Sequence, residues 1–323
     1  MALLKITFNK NTITMKKIFL VLSAVVMTAI SVSAQDLATA TETFNNGAME
    51  LQMGNMEAAL TNFQSALEMA EALGEQGAEI ATNCKGAIPQ VMFSLAKGYI
   101  KDNNFDGALA QLDATIAAAN KYENPDIAAE AAEFIPQVYM QKGNTAYQAK
   151  DLATAVAAYS KVVELDPKNG NALLRLGQVY GATGKLNEAV AAFEQAAANG
   201  QEKTANKQLS NLFLKKTQAA VKAKKFQEAI EFATKSNTYL ENANAYRMLA
   251  SAYQQLGKNA DCIASYEKYL QLNPNAKDAT GVKYTIAALA QTSGDKEKAK
   301  TYYQQILTDP QYGATAKQML QSL

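Results

Sequence analysis

One spacing constrains this chain more than any other feature: Gly143, Ala155 and Tyr159 return 34 residues later as Gly177, Ala189 and Phe193. Self-similarity at a fixed period of this length means one small supersecondary unit laid down repeatedly. Each copy is too small to bury its apolar face alone, so neighbours must stack. The best-formed unit opens at Gly170 and reads Leu173, Leu176, Gly177, Tyr180, Gly184, Leu186, Ala189, Phe193 and Ala196, after Asp166-Pro167 closes the unit before it. Numbered 1 to 34, it has large residues at 4, 7, 11, 17 and 24 and small ones at 8, 20 and 27. Two helices approach closely only where one of them offers Gly or Ala, and the neighbouring large side chains then enter the grooves so formed. Gly at position 15 suits a tight interhelical turn, and Pro at position 32, as Pro167 is in the preceding unit, stops the second helix.

This pattern resembles the tetratricopeptide repeat. The resemblance implies an all-α fold, a right-handed superhelical solenoid of about seven helix pairs plus a C-terminal capping helix. The units open near Ala40, Pro89, Pro136, Gly170, Ser210, Ala243 and Thr280. The chain departs from the family pattern in having no Trp for position 4, where units one and seven carry Thr43 and Lys283. Unit five has Lys216 and Thr217 where a large and a small residue are expected. Ala59 to Ala108 is 49 residues and Ala108 to Ala155 is 47, so the first two units are expected to carry lengthened helices. In the same stretch Ile88-Pro89-Gln90-Val91 returns as Ile135-Pro136-Gln137-Val138, and each Pro either kinks a long helix or starts a new one. The expected organisation is three repeats over 35–167, four more over 168–310 and a capping helix over 311–323, with one continuous core.

Residues 1–34 read as an upstream extension and a secretory signal peptide. Met15-Lys16-Lys17 is a positive start, 18–32 an apolar run and Val32-Ser33-Ala34 a small-residue cleavage site. The run is short for a membrane span. Cleavage is expected after Ala34, with Met1 and Met15 both candidate initiators, and the following Gln35 is not the Cys a lipoprotein needs. The implied destination is the bacterial cell envelope, in the periplasm. The leader holds four Lys and no acid, so the chain after Ala34 has 31 minus 4, or 27, basic residues against 30 acidic ones, a net of −3. That balance argues against a general nucleic-acid or anionic-membrane binder. Cys84 lies in the first long connection and Cys262 takes a small position in unit six. Several repeats apart in a linear array, they are expected to stay free, which leaves a bridge from Cys84 to another chain open.

The chain has no His, which removes Ser-His-Asp and Cys-His nucleophile systems and His-based zinc sites. It has no phosphate-cradling loop either, because Gly181-Ala182-Thr183-Gly184-Lys185 is a helix-to-helix turn. Glu68 with Glu71, and Glu130 with Glu133, have the spacing of a solvated helix face. No enzyme, cofactor or metal is therefore expected.

The resemblance further implies that positions 2, 5, 6, 9, 12 and 13 of each first helix line a concave groove. Across seven units these 42 places hold Lys97, Lys101, Arg175, Lys215, Lys222 and Arg247 and no acid, with fifteen Asn or Gln. Lys97, Lys101, Asn144, Tyr147, Arg175, Gln178, Lys215, Gln218 and Arg247 form the candidate peptide-binding groove. Its cations would attract an acidic peptide or tail, and its amides can both donate to and accept from a peptide backbone. Asn144 and Arg175 resemble fragments of the carboxylate clamp of some tetratricopeptide proteins, but Met140 and Gln178 break that pattern. The expected function is an exported scaffold that binds other proteins. The alternative is a glycan- or nutrient-uptake-associated envelope protein, against which the absence of Trp platforms counts.

Overall fold

A computed structural model describes residues 32–323 as helices joined by short turns, with no strand among the described residues. The upstream extension and the apolar run of the leader lie outside them. The chain divides between Leu165 and Asp166 into two compact units. The division falls where no side chain from Val163 to Asn169 is buried. Pro167 ends the helical run there.

In the first unit α1 (Val32–Met53), α2 (Met56–Ala72), α3 (Ala78–Lys101), α4 (Phe105–Lys121), α5 (Pro125–Gln148) and α6 (Leu152–Leu165) each pack against the next. In the second unit the succession is α7 (Gly170–Ala182), α8 (Leu186–Ala196), α9 (Glu202–Lys222), α10 (Phe226–Tyr239), α11 (Ala243–Gln255), α12 (Asn259–Leu272), α13 (Ala279–Thr292), α14 (Lys296–Gln304) and α15 (Gly313–Ser322). These are the stacked hairpins of a helical solenoid.

The 34-residue register is visible in burial. Position 20 is Ala59, Ala108, Ala155, Ala189, Ala229, Cys262 and Ala299 in the seven units, and all seven have no exposed surface. Position 8 is Gly or Ala except in unit five, and there the buried Thr217 donates its hydroxyl to the Phe213 carbonyl at 2.9 Å, so the helix itself satisfies the extra polar atom. Position 15 turns the chain through positive φ in every unit. Gly54, Gly184, Gly257 and Gly294 do so at no steric cost. Asn103, Lys150 and Lys224 adopt φ near +60° despite their side chains.

Pro89 and Pro136 start no helix. They lie inside α3 and α5, each 24 residues long, against 13 for α7 and 11 for α8. The extra length thus falls on α2 to α5, including the first helix of unit three. Both cysteines are free, as expected, and Cys84 and Cys262 are fully buried, so the bridge from Cys84 to another chain has no exposed sulfur to form through. Burial pushes their thiols up to about 12 and about 11. At the C-terminus α15 buries Ala316 and packs Met319 and Leu320 into the cluster around Ile286 and Tyr303.

Candidate functional site

The structure separates the groove residues by unit and by what each one touches. In the first unit Lys97 lies on α3 with its ammonium 3.6 Å from the centre of the Phe93 ring and 5.2 Å from that of Phe134. The two rings meet edge to face at 5.0 Å, and Glu130 of α5 lies 3.7 Å from the ammonium. Burial pulls the lysine pKa below its usual value, while Glu130 opposes that shift. Lys97 is therefore a half-buried cation held between two aromatic rings and a carboxylate. The acid paired with it stands on α5, at a position outside the groove set.

Lys101 is exposed at the end of α3 and forms no ion pair among the described residues. Asn144 on α5 accepts a hydrogen bond from the Tyr159 hydroxyl at 2.9 Å, which ties one groove amide to the core. Tyr147, one turn on, is half-buried.

In the second unit Arg175 donates to Gln178 at 3.1 Å along α7. Such an i,i+3 contact fixes two groove side chains against each other. Lys215 and Gln218 are both exposed on α9. Arg247 on α11 approaches Asp278 at 3.4 Å, and Asp278 also accepts from the Tyr269 hydroxyl at 2.6 Å. Arg247 is thus tethered by a partly exposed carboxylate without being buried by it.

α9, α11 and α12 line a shallow, half-open cleft of about 570 Å³ bordered by Gln218, Val221, Asn244, Arg247, Met248, Ser251 and Tyr266. Gln218, Val221, Asn244, Arg247, Met248 and Ser251 all occupy groove positions, so two neighbouring repeats bring six of them to one concavity. Their chemistry is mixed: two amides and a guanidinium for polar backbone groups, and a thioether and a phenol ring for apolar contact. Tyr266 was missed because position 24 is a core position elsewhere, as in Phe63, Tyr159 and Phe193. In unit six that place is only half-buried, and burial raises the Tyr266 pKa. Val221 and Ser251 also stand at groove positions, 12 of unit five and 9 of unit six, but neither residue type was distinctive enough to be singled out. Among the described residues no group of side chains is arranged to hold a metal ion, and no helix is long and apolar enough to cross a membrane.

Comparison with known proteins matches family models described as tetratricopeptide repeat to residues 146–209, and to 243–276 and 281–308. The chain carries tetratricopeptide repeats. A TPR repeat-containing protein of Methanocaldococcus jannaschii is 23% identical over 270 residues, covering 82% of this chain and 42% of that one. The Hsp70-Hsp90 organizing protein 1 of Glycine max is 32% identical over 117 residues, 35% of this chain and 20% of that protein. The chain therefore spans less than half the length of these curated relatives. Among solved structures a MamA protein aligns over 57% of this chain and 96% of its own, with 23% identity and a TM-score of 0.35. YrrB, titled a TPR protein with an unusual peptide-binding site, aligns over 56% and 91%, with 20% identity and a TM-score of 0.31.

Proposed function

We infer that this chain is an exported protein-interaction scaffold of the bacterial cell envelope, and that it takes an extended, acidic peptide segment along the face of the second unit that holds the cleft. Tetratricopeptide repeats imply a scaffold for protein–protein interaction, and the chain has no His for the common nucleophile systems. The observation that carries the finer reading is the cleft itself, where Gln218, Asn244 and Arg247 stand beside Met248 and Tyr266. An extended backbone exposes alternating donors and acceptors that amides can read in either sense, while Met and Tyr supply adaptable apolar contact for its side chains. The tetratricopeptide relatives that organise Hsp70 and Hsp90 by name are consistent with a partner that is another protein. Export is supported by the basic start, apolar run and Val32-Ser33-Ala34 site of the leader.

The test is to isolate the protein from the envelope fraction, sequence its N-terminus, and screen it against an array of unstructured peptides of graded acidity. The expected result is a chain beginning at Gln35 whose binding favours acidic peptides and falls about tenfold or more in Asn244→Ala/Arg247→Glu. A chain beginning at Met1 or Met15 sinks the export reading, and an unchanged peptide profile in the variant sinks the cleft.

A further inference from the structure

The charges of this chain are sorted by region in a way its near-neutral total conceals. From Gln35 to Cys84 there are eight acidic residues and no Lys or Arg. From Lys203 to Lys225 there are seven Lys and no acid. Segregation on this scale sets up opposite potentials at two places on one molecule.

Each set forms a stripe. On α9, Lys203, Lys207, Asn211, Lys215, Gln218 and Lys222 follow one another at spacings of four, four, four, three and four residues, which puts them on one face, and every one is exposed. None of the four Lys of that stripe forms an ion pair among the described residues, whereas Lys225 beyond it pairs with Glu228 at 3.0 Å. On α2, Glu57, Thr61, Gln64, Glu68 and Glu71 follow at four, three, four and three residues and are likewise all exposed. Glu71 is bonded to Lys85 at 2.8 Å, while Glu57 and Glu68 have no basic partner among the described residues. At 1.5 Å per residue the acidic stripe from Glu57 to Glu71 is about 21 Å long and the basic stripe from Lys203 to Lys222 about 28 Å, long enough to cover it. Two exposed helix faces of opposite sign, the basic one unpaired and the acidic one paired only at Glu71, are complementary.

We propose that the chain self-associates, the acidic face of α2 in one copy lying along the basic face of α9 in another. This goes beyond the extended-peptide reading and rests on it only in that Gln218 belongs both to the stripe and to the cleft; the partner here is a folded helix face of a second copy of this chain. The surfaces in contact differ, so the interface is heterologous. The energy is chiefly electrostatic between exposed groups, so association is weak and screened by salt.

The experiment is sedimentation velocity on the full chain over a concentration series at 0.05 and 0.5 M NaCl, with two charge-reversed variants. One is Lys207→Glu/Lys215→Glu/Lys222→Glu and the other Glu57→Lys/Glu68→Lys. The expected result is concentration-dependent association of the unaltered chain that weakens about tenfold or more at the higher salt. Each variant alone stays monomeric, because its two faces now repel, and an equimolar mixture of the two associates again. Recovery in the mixture shows that both variants are folded, and far-ultraviolet circular dichroism of each checks the same point. A monomer at every concentration and low salt overturns the proposal, as does a mixture that stays monomeric while both variants keep full helicity. Failure here with intact binding of acidic peptides removes the self-partner and keeps the cleft, whereas loss of both removes the binding face itself.

Discussion

Replacing Gly177 by Ala tests the packing rule on which the whole repeat rests. A Cβ built on Gly177 falls 2.6 Å from Cδ1, 2.7 Å from Cε1 and 2.8 Å from Cγ of Phe193, a ring that is 2% exposed. Carbon atoms prefer about 3.5 Å or more, so the ring must retreat by about 1 Å into a core that has no slack. Overpacking of this kind costs about 1–3 kcal/mol. The substitution also gains up to about 1 kcal/mol from helix propensity, which would blur the result if measured alone. Gly181 on the same helix supplies the reference, since a Cβ there meets only Leu212 at 3.6 Å, an ordinary contact. Both substitutions share the propensity gain, so their difference isolates the clash. Gly177→Ala is expected to be less stable than Gly181→Ala by about 1–3 kcal/mol, read as a lower urea midpoint at unchanged slope. Shortening the ring partner in Phe193→Leu should shrink that difference. Equal midpoints for the two alanine variants would refute the argument that position 8 must be small because position 24 is large.

Two further outcomes follow from titratable groups that are half-buried or buried. Tyr239 donates to Glu194 at 2.6 Å and Tyr302 to Glu267 at 3.2 Å; burial first, and then these carboxylates, push both phenols up to about 12. The folded state therefore holds their protons more tightly than the unfolded state, whose tyrosines titrate near the ordinary value of about 10. Their contribution is fully present below about pH 10 and is lost as pH rises towards 12, so Tyr239→Phe/Tyr302→Phe should flatten that part of the stability profile; an unchanged slope would contradict it. Cys84 and Cys262 should resist a thiol reagent at pH 8 and react only once urea has unfolded the chain, since the thiolate is the reacting form and neither sulfur is exposed. Labelling of the native protein within minutes would show that one of these helices opens readily.

The sequence by itself determined the register of the hairpins. The shielded small residue at 20 and the turn at 15 recur in all seven units, even where Lys150 breaks the expected type, while position 8 against position 24 holds as small against large except in unit five, which sets Thr217 against Ala233. It also foretold two unbridged cysteines and the extra helix length before Leu152, because both follow from counting along the chain. It left open whether Pro89 and Pro136 kink or begin helices, since a proline fits both and only the packing of the whole segment decides. The fate of the groove charges was beyond it. Lys97 is claimed by Glu130, with Phe93 and Phe134, and Arg247 by Asp278, partners 33 and 31 residues away whose own positions mark them as ordinary surface acids. Lys215 and Lys222 face no such partner and stay exposed. Backbone register repeats because each unit meets the same steric demand, but whether a long charged side chain reaches solvent or a counter-charge depends on which side chains the neighbouring helices present. The half-exposed Tyr266 has the same origin: position 24 is buried in other repeats, and which neighbouring side chains cover it is settled only by tertiary packing.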